Sequence, residues 1–278
     1  MEISRKDVRD AFIAAGCVPG DTVMFHSSLK SMGHVEGGAA AVYDGILDAA
    51  GPCGTVAVPS LWYDGTPERT RDKFDVNTSP TYVGVIPETF RKDPRAFRSS
   101  NFSHAVCAIG ARAEELTRDH GKGRQYPSPW GDDAFAEISP WSKFYEWNAL
   151  YCFIGVDMNT CTMKHYIESR YVEELLQMLP PERYREFRSQ IAEDCKSIFW
   201  IFYPGAKMRI RLEEMGMLRM VKLGNATVIS IRTRPLVHAC LDILRAEPQN
   251  WCTPEFHQWI CSVKKTAAEN RNVYRLKL

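Results

Sequence analysis

Two short apolar segments bracket a loop and a helix-length run, and that order constrains the fold more than any other feature of the chain. The first, Thr22-Val23-Met24-Phe25-His26, is apolar enough to lie buried on both faces of a sheet. A polar, glycine-containing loop over 27–38 follows, then a helical run over 39–50. The turn Gly51-Pro52-Cys53-Gly54 leads into the second segment, 55–59. Strand, loop, helix and strand in sequence make a crossover, which pairs the two strands in parallel within an α/β sheet. Upstream, Ser4 is a candidate N-cap for a helix over 4–15 with Val8, Phe12 and Ile13 on its apolar side. Gly16 stands where that helix ends.

The same reading places strands at 105–109 and 149–155 and short helices at 83–91, 111–119 and 141–147. Residues 61–80 and 120–133 are polar and irregular, and loops of that length are more often functional than ornamental. The last third reads differently: a charged helical stretch over 180–202, a loop and strand over 215–231, and helices over 235–244 and 254–269. No catalytic pattern stands out in it.

Composition excludes several classes. Hydrophobic residues at 45% and charged residues at 25% of 278 fit an ordinary globular protein. A formal charge of +1 makes no electrostatic case for nucleic acid. No apolar run approaches the ~20 residues of a membrane span, and the N-terminal residues do not read as a secretory signal. Nine cysteines without a CxxC pair fit reduced thiols better than a disulfide framework or a zinc knuckle. A cytoplasmic location is therefore expected.

The candidate chemistry centres on His165 and Glu168, three residues apart just after the 149–155 strand. A helix brings positions i and i+3 onto one face. A carboxylate beside an imidazole fixes its tautomer and supports its protonated form, which suits it to accept a proton near neutral pH. HxxE also occurs in carboxylate-bridged metal sites, but no second such set is present. His26, His104 and His165 lack the tight ligand spacings of zinc sites, so no metal is expected. Cys161, four residues before His165, could form a Cys–His pair, although cysteines are usually buried. The loop over 27–38 offers backbone N–H groups and hydroxyls to a phosphate. It matches neither GxxxxGK[ST] nor GxGxxG. Trp62 and Tyr63, in a long polar loop, are candidates for stacking on a sugar or an adenine. Asn101, His104 and Asp157 flank strands and are candidate acceptor contacts.

Taken in order, these segments resemble the aminoglycoside 3-N-acetyltransferase family. The resemblance runs through 21–33, Val35-Glu36-Gly37-Gly38, 48–55, Asn77-Thr78-Ser79-Pro80-Thr81, 87–91, Arg98-Ser99, 104–110, Ser139-Pro140 and His165-Tyr166-Ile167-Glu168. It implies one α/β domain on a mixed, largely parallel central sheet flanked by helices. Residues 1–178 would form the CoA-binding and catalytic core. Residues 179–278 would form a mostly helical extension for acceptor or oligomer contacts.

The resemblance also implies acetyl-CoA or another acyl-CoA as co-substrate, no metal, and transfer to an amine. Ser27, Ser28, Leu29, Lys30, Gly33, Val35, Gly37 and Gly38 would cradle the CoA phosphates. Thr81 would lie near the thioester, His165 would be the general base and Glu168 its partner. Many drug-modifying members carry His-Pro where this chain has Asn101-Phe102, and serine where it has Ala105. The segment before His165 is also longer than in those members. Basic residues in the irregular loops, Arg69, Arg71, Lys73, Lys122 and Arg124, suit an anionic acceptor. The expectation is thus an acyl-CoA-dependent N-acyltransferase for a nucleotide-linked amino sugar, with aminoglycoside acetylation as the alternative.

Overall fold

The computed structural model describes residues 2–191 and 199–275. The expected helix over 180–202 lies partly outside them, at 192–198. The first half runs α1 (Arg5–Ala14), β1 (Thr22–Ser27), α2 (Leu29–Met32), α3 (Gly38–Ala50), β2 (Thr55–Pro59), α4 (Val85–Arg91), β3 (Phe97–Arg98), β4 (Val106–Gly110) and α5 (Ala113–Thr117). It continues through α6 (Pro140–Glu146), β5 (Leu150–Ile154), α7 (Met163–Leu176), α8 (Pro181–Ser189) and α9 (Gly205–Glu214). The chain ends with β6 (Arg219–Leu223), β7 (Ala226–Arg232), α10 (Thr233–Ala246), α11 (Pro248–Trp251) and α12 (Pro254–Arg275). Among the described residues no helix is long and apolar enough to cross a membrane.

One seven-stranded sheet, ordered β3-β4-β2-β1-β5-β7-β6, runs through the molecule. The crossover read from the sequence is present: β1 pairs with β2 in parallel, Thr22 opposite Thr55. β1 also pairs in parallel with β5, His26 opposite Phe153 and Ser27 opposite Ile154. The sheet is mixed as expected, but parallel pairing is confined to those three central strands. β2–β4, β3–β4, β5–β7 and β6–β7 are all antiparallel. The cause is local at one edge. Gly224-Asn225 is a two-residue connection with Gly224 at φ +57°, and a two-residue loop returns the chain antiparallel. The last third is mostly helical, as expected, and its β7 and β6 also complete the sheet beside β5.

The period-2 alternation of the central strands assigns their side chains to two cores. Val23, Phe25, Cys152, Ile154, Val56 and Val58 face α1 and α3, packing with Val8, Phe12, Val42 and Ile46. Met24, Tyr151, Phe153, Ile229 and Ile231 face α7, α10 and α12. By the same alternation His26, one residue beyond Phe25, lies on the α7 face at the carboxyl end of β1. Burying each large apolar side chain stabilises the fold by about 1.5–3 kcal/mol. Local signals set the boundaries. Ser4 and Asp7 form a reciprocal capping box at the start of α1, and Ser139 caps α6 by accepting from the Ser142 amide. Arg232 clamps the opposite end of the sheet, pairing with both carboxylate oxygens of Asp21 at 2.7 and 2.8 Å.

The α1–α3 contact depends on one missing side chain. A Cβ on Gly45, inside α3, would lie 2.7 Å from the Arg5 carbonyl oxygen and 2.8 Å from the Val8 Cβ. In an open helix Gly→Ala is favourable by about 1 kcal/mol. Here overpacking outweighs that gain, so Gly45→Ala should destabilise the protein by roughly 1–3 kcal/mol. Urea unfolding checks the sign, and an unchanged or raised midpoint would show that the two helices part without cost.

Candidate active site

The parallel strands β1 and β5 end side by side at Ser27 and Ile154, and the chain beyond β5 turns through Gly155 into α7. Open α/β sheets place their sites at such carboxyl ends. Gly155 has φ +62°, and a Cβ there would fall 1.7 Å from the Ser31 hydroxyl oxygen, so only glycine lets α2 approach. The start of α7 is tied down by the Tyr151 hydroxyl, which accepts from the Met163 amide at 3.2 Å. His165 then falls in the first turn and Glu168 one turn later.

His165 Nδ1 lies 2.7 Å from Glu168 Oε2. A carboxylate only accepts, so Nδ1 carries the proton and Nε2 keeps its lone pair. Glu168 is fully buried and is satisfied from a distant segment. Trp200 Nε1 donates to Oε2 at 2.9 Å, and the Tyr203 amide donates to Oε1 at 3.1 Å. The Lys164 ammonium stands 4.0 Å from Oε1. These partners compensate the burial of both carboxylate oxygens. Trp130 lies against the His165 ring with centroids 4.0 Å apart, and Phe202 meets it edge-on at 6.4 Å.

A cavity of about 480 Å³ opens beside this pair, within the range of small-molecule sites. Its wall includes His26, Ser27, Leu61, Tyr63, Tyr82, Ser103, His104, Trp130, Val156, Asn159, Cys161, Thr162 and His165. His26 is buried on the floor, stacked on Phe153, with Nε2 2.7 Å from the Tyr151 hydroxyl. Burial pushes its pKa down to about 3, so it is neutral. His104 is also buried, and desolvation holds its pKa well below the ordinary histidine value. Cys161 is pushed up to about 12 by burial and is not a thiolate nucleophile at neutral pH. Although His26, His104 and His165 share one cavity, no group of three metal-ligating side chains occurs among the described residues.

The residues singled out in the sequence divide cleanly. His165, Ser27, Tyr63 and His104 line the cavity, with Glu168 directly behind His165. Thr81 does not line it: its hydroxyl donates to the Leu61 carbonyl at 2.9 Å, so that proton is unavailable to an oxyanion. Trp62 stacks under Arg69 at 4.9 Å and stands outside the wall. Asn101 organises a turn, its Oδ1 accepting from the Ser103 and His104 amides. Asp157 caps the turn before α7 by accepting from the Asn159 amide.

The crossover loop is more closed than its glycines imply. Val35 is buried and bridges to Ile3, the Gly38 amide donates to the Val35 carbonyl, and Asn225 donates to Met32. Ser28, Leu29, Lys30, Gly33, Val35, Gly37 and Gly38 all lie off the cavity wall. The basic loops are internally neutralised. Arg69 pairs with Asp64, Arg71 with Asp133, Lys122 with Asp119 and Arg124 with Glu173, while Lys73 is exposed. Sequence reasoning missed Trp200 and Tyr203, whose only signal was aromatic residues in a segment without motif. It also left His26, Trp130 and Cys161 without a site role.

Three buried neutral histidines, His26, His104 and His120, make stability depend on pH. His26 titrates at about 3 and His120, bonded to Ser99 and the Ala134 carbonyl, at about 4. Both values are depressed below the ordinary ~6.5, so the unfolded chain binds these protons first. Stability should be complete above pH ~6.5 and fall as pH drops toward 4, by about 2 kcal/mol per histidine at pH 5. Urea midpoints at pH 7 and 5 test this; a flat profile would mean these rings take up protons without unfolding.

The chain is similar to aminoglycoside acetyltransferases in sequence and in fold. An aminoglycoside N(3)-acetyltransferase III from Salmonella sp is 32% identical over 181 residues, a match covering 60% of this chain and 60% of that protein. One from Serratia marcescens is 30% identical over 204 residues, covering 66% and 72%. The chain thus aligns with about three-fifths of the length of the first of these relatives. The fold is shared with aminoglycoside acetyltransferase AAC(3)-IVa at a TM-score of 0.70 and 21% identity, covering 96% of this chain and 98% of that one. It is shared also with AAC-IIIb, solved as a binary complex with CoASH, at 0.66 and 21% identity, covering 91% and 99%. The family model described as aminoglycoside 3-N-acetyltransferase matches residues 24–245. The chain belongs to the aminoglycoside 3-N-acetyltransferase family.

Proposed function

We propose that this chain transfers an acetyl group from acetyl-CoA to an amine of an aminoglycoside. The observation that carries the reading is the buried Glu168 holding the His165 ring with its Nε2 lone pair free beside the cavity. Family membership supports the acceptor class and the donor. The nucleotide-linked amino sugar expected from the basic loops loses its main support, because four of those five cations are paired with carboxylates of the chain itself. One observation keeps a less cationic amino sugar as the second reading. Among the described residues the cavity wall carries no carboxylate, and Glu168 is shielded behind His165.

Acetyl-CoA supplies the thioester carbonyl that the amine attacks. For its phosphates we retain the end of β1 and the start of α2: Ser27 lies on the wall, and Lys30 is exposed with no ion pair to a described residue. As the nitrogen–carbon bond forms, His165 Nε2 takes the amine proton and Glu168 stabilises the imidazolium. The carbon–sulfur bond breaks, and the proton passes from His165 to the leaving sulfur, giving amide and free thiol. Trp200 and the Tyr203 amide keep Glu168 from rotating away.

The test is thiol release from acetyl-CoA against a panel of aminoglycosides, simple amino sugars and nucleotide-linked amino sugars. His165→Ala should lower kcat by ~10²–10⁴ with little change in KM for acetyl-CoA. Turnover near the parent level would sink the base assignment. Turnover on nucleotide-linked sugars alone would overturn the choice of acceptor. Trp200→Phe keeps an aromatic side chain and removes one hydrogen bond to Glu168, and should lower kcat by roughly tenfold. An unaffected kcat would show that Glu168 is held without it.

A further inference from the structure

His104 stands three residues beyond Asn101, just before β4. Its surroundings determine which of its nitrogens carries a proton. Nδ1 lies 3.1 Å from the Ser103 hydroxyl oxygen. That hydroxyl faces two groups that can only accept, Asn101 Oδ1 at 3.0 Å and the Trp130 carbonyl at 3.1 Å. We assign its single proton to one of them, so that toward His104 the oxygen accepts and Nδ1 is the donor. The ring is neutral in its buried site, which leaves Nε2 as a bare lone pair. Trp130 and Phe135 pack against the ring, and the His104 carbonyl accepts from Trp141 Nε1, so the residue is held in place.

His165 reaches the same electronic state by a different route, its Nδ1 proton being held by Glu168. The two ring centroids are 5.8 Å apart with planes at 83°. Neither Nε2 has a proton to offer the other, and the separation is too long for a direct nitrogen–nitrogen hydrogen bond. Two acceptors therefore share one cavity wall, with Trp130 packed against both rings. A single atom that fits this arrangement is a nitrogen bearing two hydrogens.

We propose that His104 restricts the acceptor to primary amines, holding one N–H at its Nε2 while His165 takes the other. This rests on the acetyl-transfer reading above. The amine RNH2 gives one proton to His165 as the new nitrogen–carbon bond forms and the carbon–sulfur bond breaks. That proton leaves on the CoA thiol. The hydrogen on His104 stays on nitrogen and becomes the N–H of the product amide. An N-methyl amine has only one hydrogen to give, so it either leaves His104 unpaired in a dry site or turns away from His165.

The experiment measures kcat/KM at saturating acetyl-CoA for kanamycin and its 3-N-methyl derivative. The parent protein should prefer the primary amine by about ten- to a hundredfold. His104→Phe keeps the bulk of the ring and removes the acceptor. It should lower the primary-amine value by a similar factor, leave the N-methyl value nearly unchanged, and leave KM for acetyl-CoA unchanged. His104→Gln restores an acceptor oxygen and should recover much of the preference. If exclusion of the methyl group were only steric, the preference would survive in His104→Phe, and the proposal would be wrong. Equal use of both amines by the parent protein would also overturn it, even if His104→Phe did not fold. No thiol release with any amine in the panel would instead remove the acetyl-transfer reading itself.

Discussion

A carboxylate with no access to water must be compensated where it lies, and Glu168 is the group around which this molecule is organised. Its two oxygens receive an imidazole N–H, an indole N–H and a backbone amide, with an ammonium close by. Leaving such a group unpaired would cost several kcal/mol. Its partners come from α7 and from the segment at 200–203, so the carboxylate links the parallel half of the sheet to the last third of the chain. Stability and chemistry coincide here: the bonds that make the buried charge tolerable also fix the tautomer of His165.

The sheet explains why the imidazole stands where it does. β1 and β5 run in parallel and end together, and period-2 alternation sends His26, Tyr151 and Phe153 to one face. The Tyr151 hydroxyl reaches both His26 and the first amide of α7. The register of two strands is thus passed to a helix start through one phenol. The aromatic wall of Trp130, Phe135 and Phe202 around His165 keeps water from competing for these bonds, which strengthens them in a medium of lower dielectric.

Much of this was legible in the residues. The β1–α3–β2 crossover follows from two apolar runs and the turns between them, and the His165–Glu168 pair follows from helical spacing. Patterns that act over a few residues can be read because their physics is local. What was not legible required distant segments to meet. Trp200 carries no motif, and its role exists only because α7 and the loop before α9 are brought together. The Gly224-Asn225 turn went unread: a loop and one strand were expected over 215–231, so the antiparallel edge was missed. Thr81 and the glycines of the crossover look like ligand contacts by residue type. In the fold Thr81 is bonded to Leu61 and Glu88, and the Gly38 amide to the Val35 carbonyl. The basic loops misled for the same reason, since net charge in a sequence does not reveal which carboxylate stands opposite each cation.

The placement of Trp200 and Tyr203 late in the chain bears on the order of biosynthesis. A ribosome delivers the parallel strands and α7 well before residue 200 emerges. Until then Glu168 lacks its indole and amide donors, and β5 lacks β7 as its outer neighbour. A nascent or prematurely terminated product would hold the imidazole in an unlocked geometry beside an open sheet edge. Competence at this centre therefore arrives only once residues 200–203 have been made and have folded onto α7.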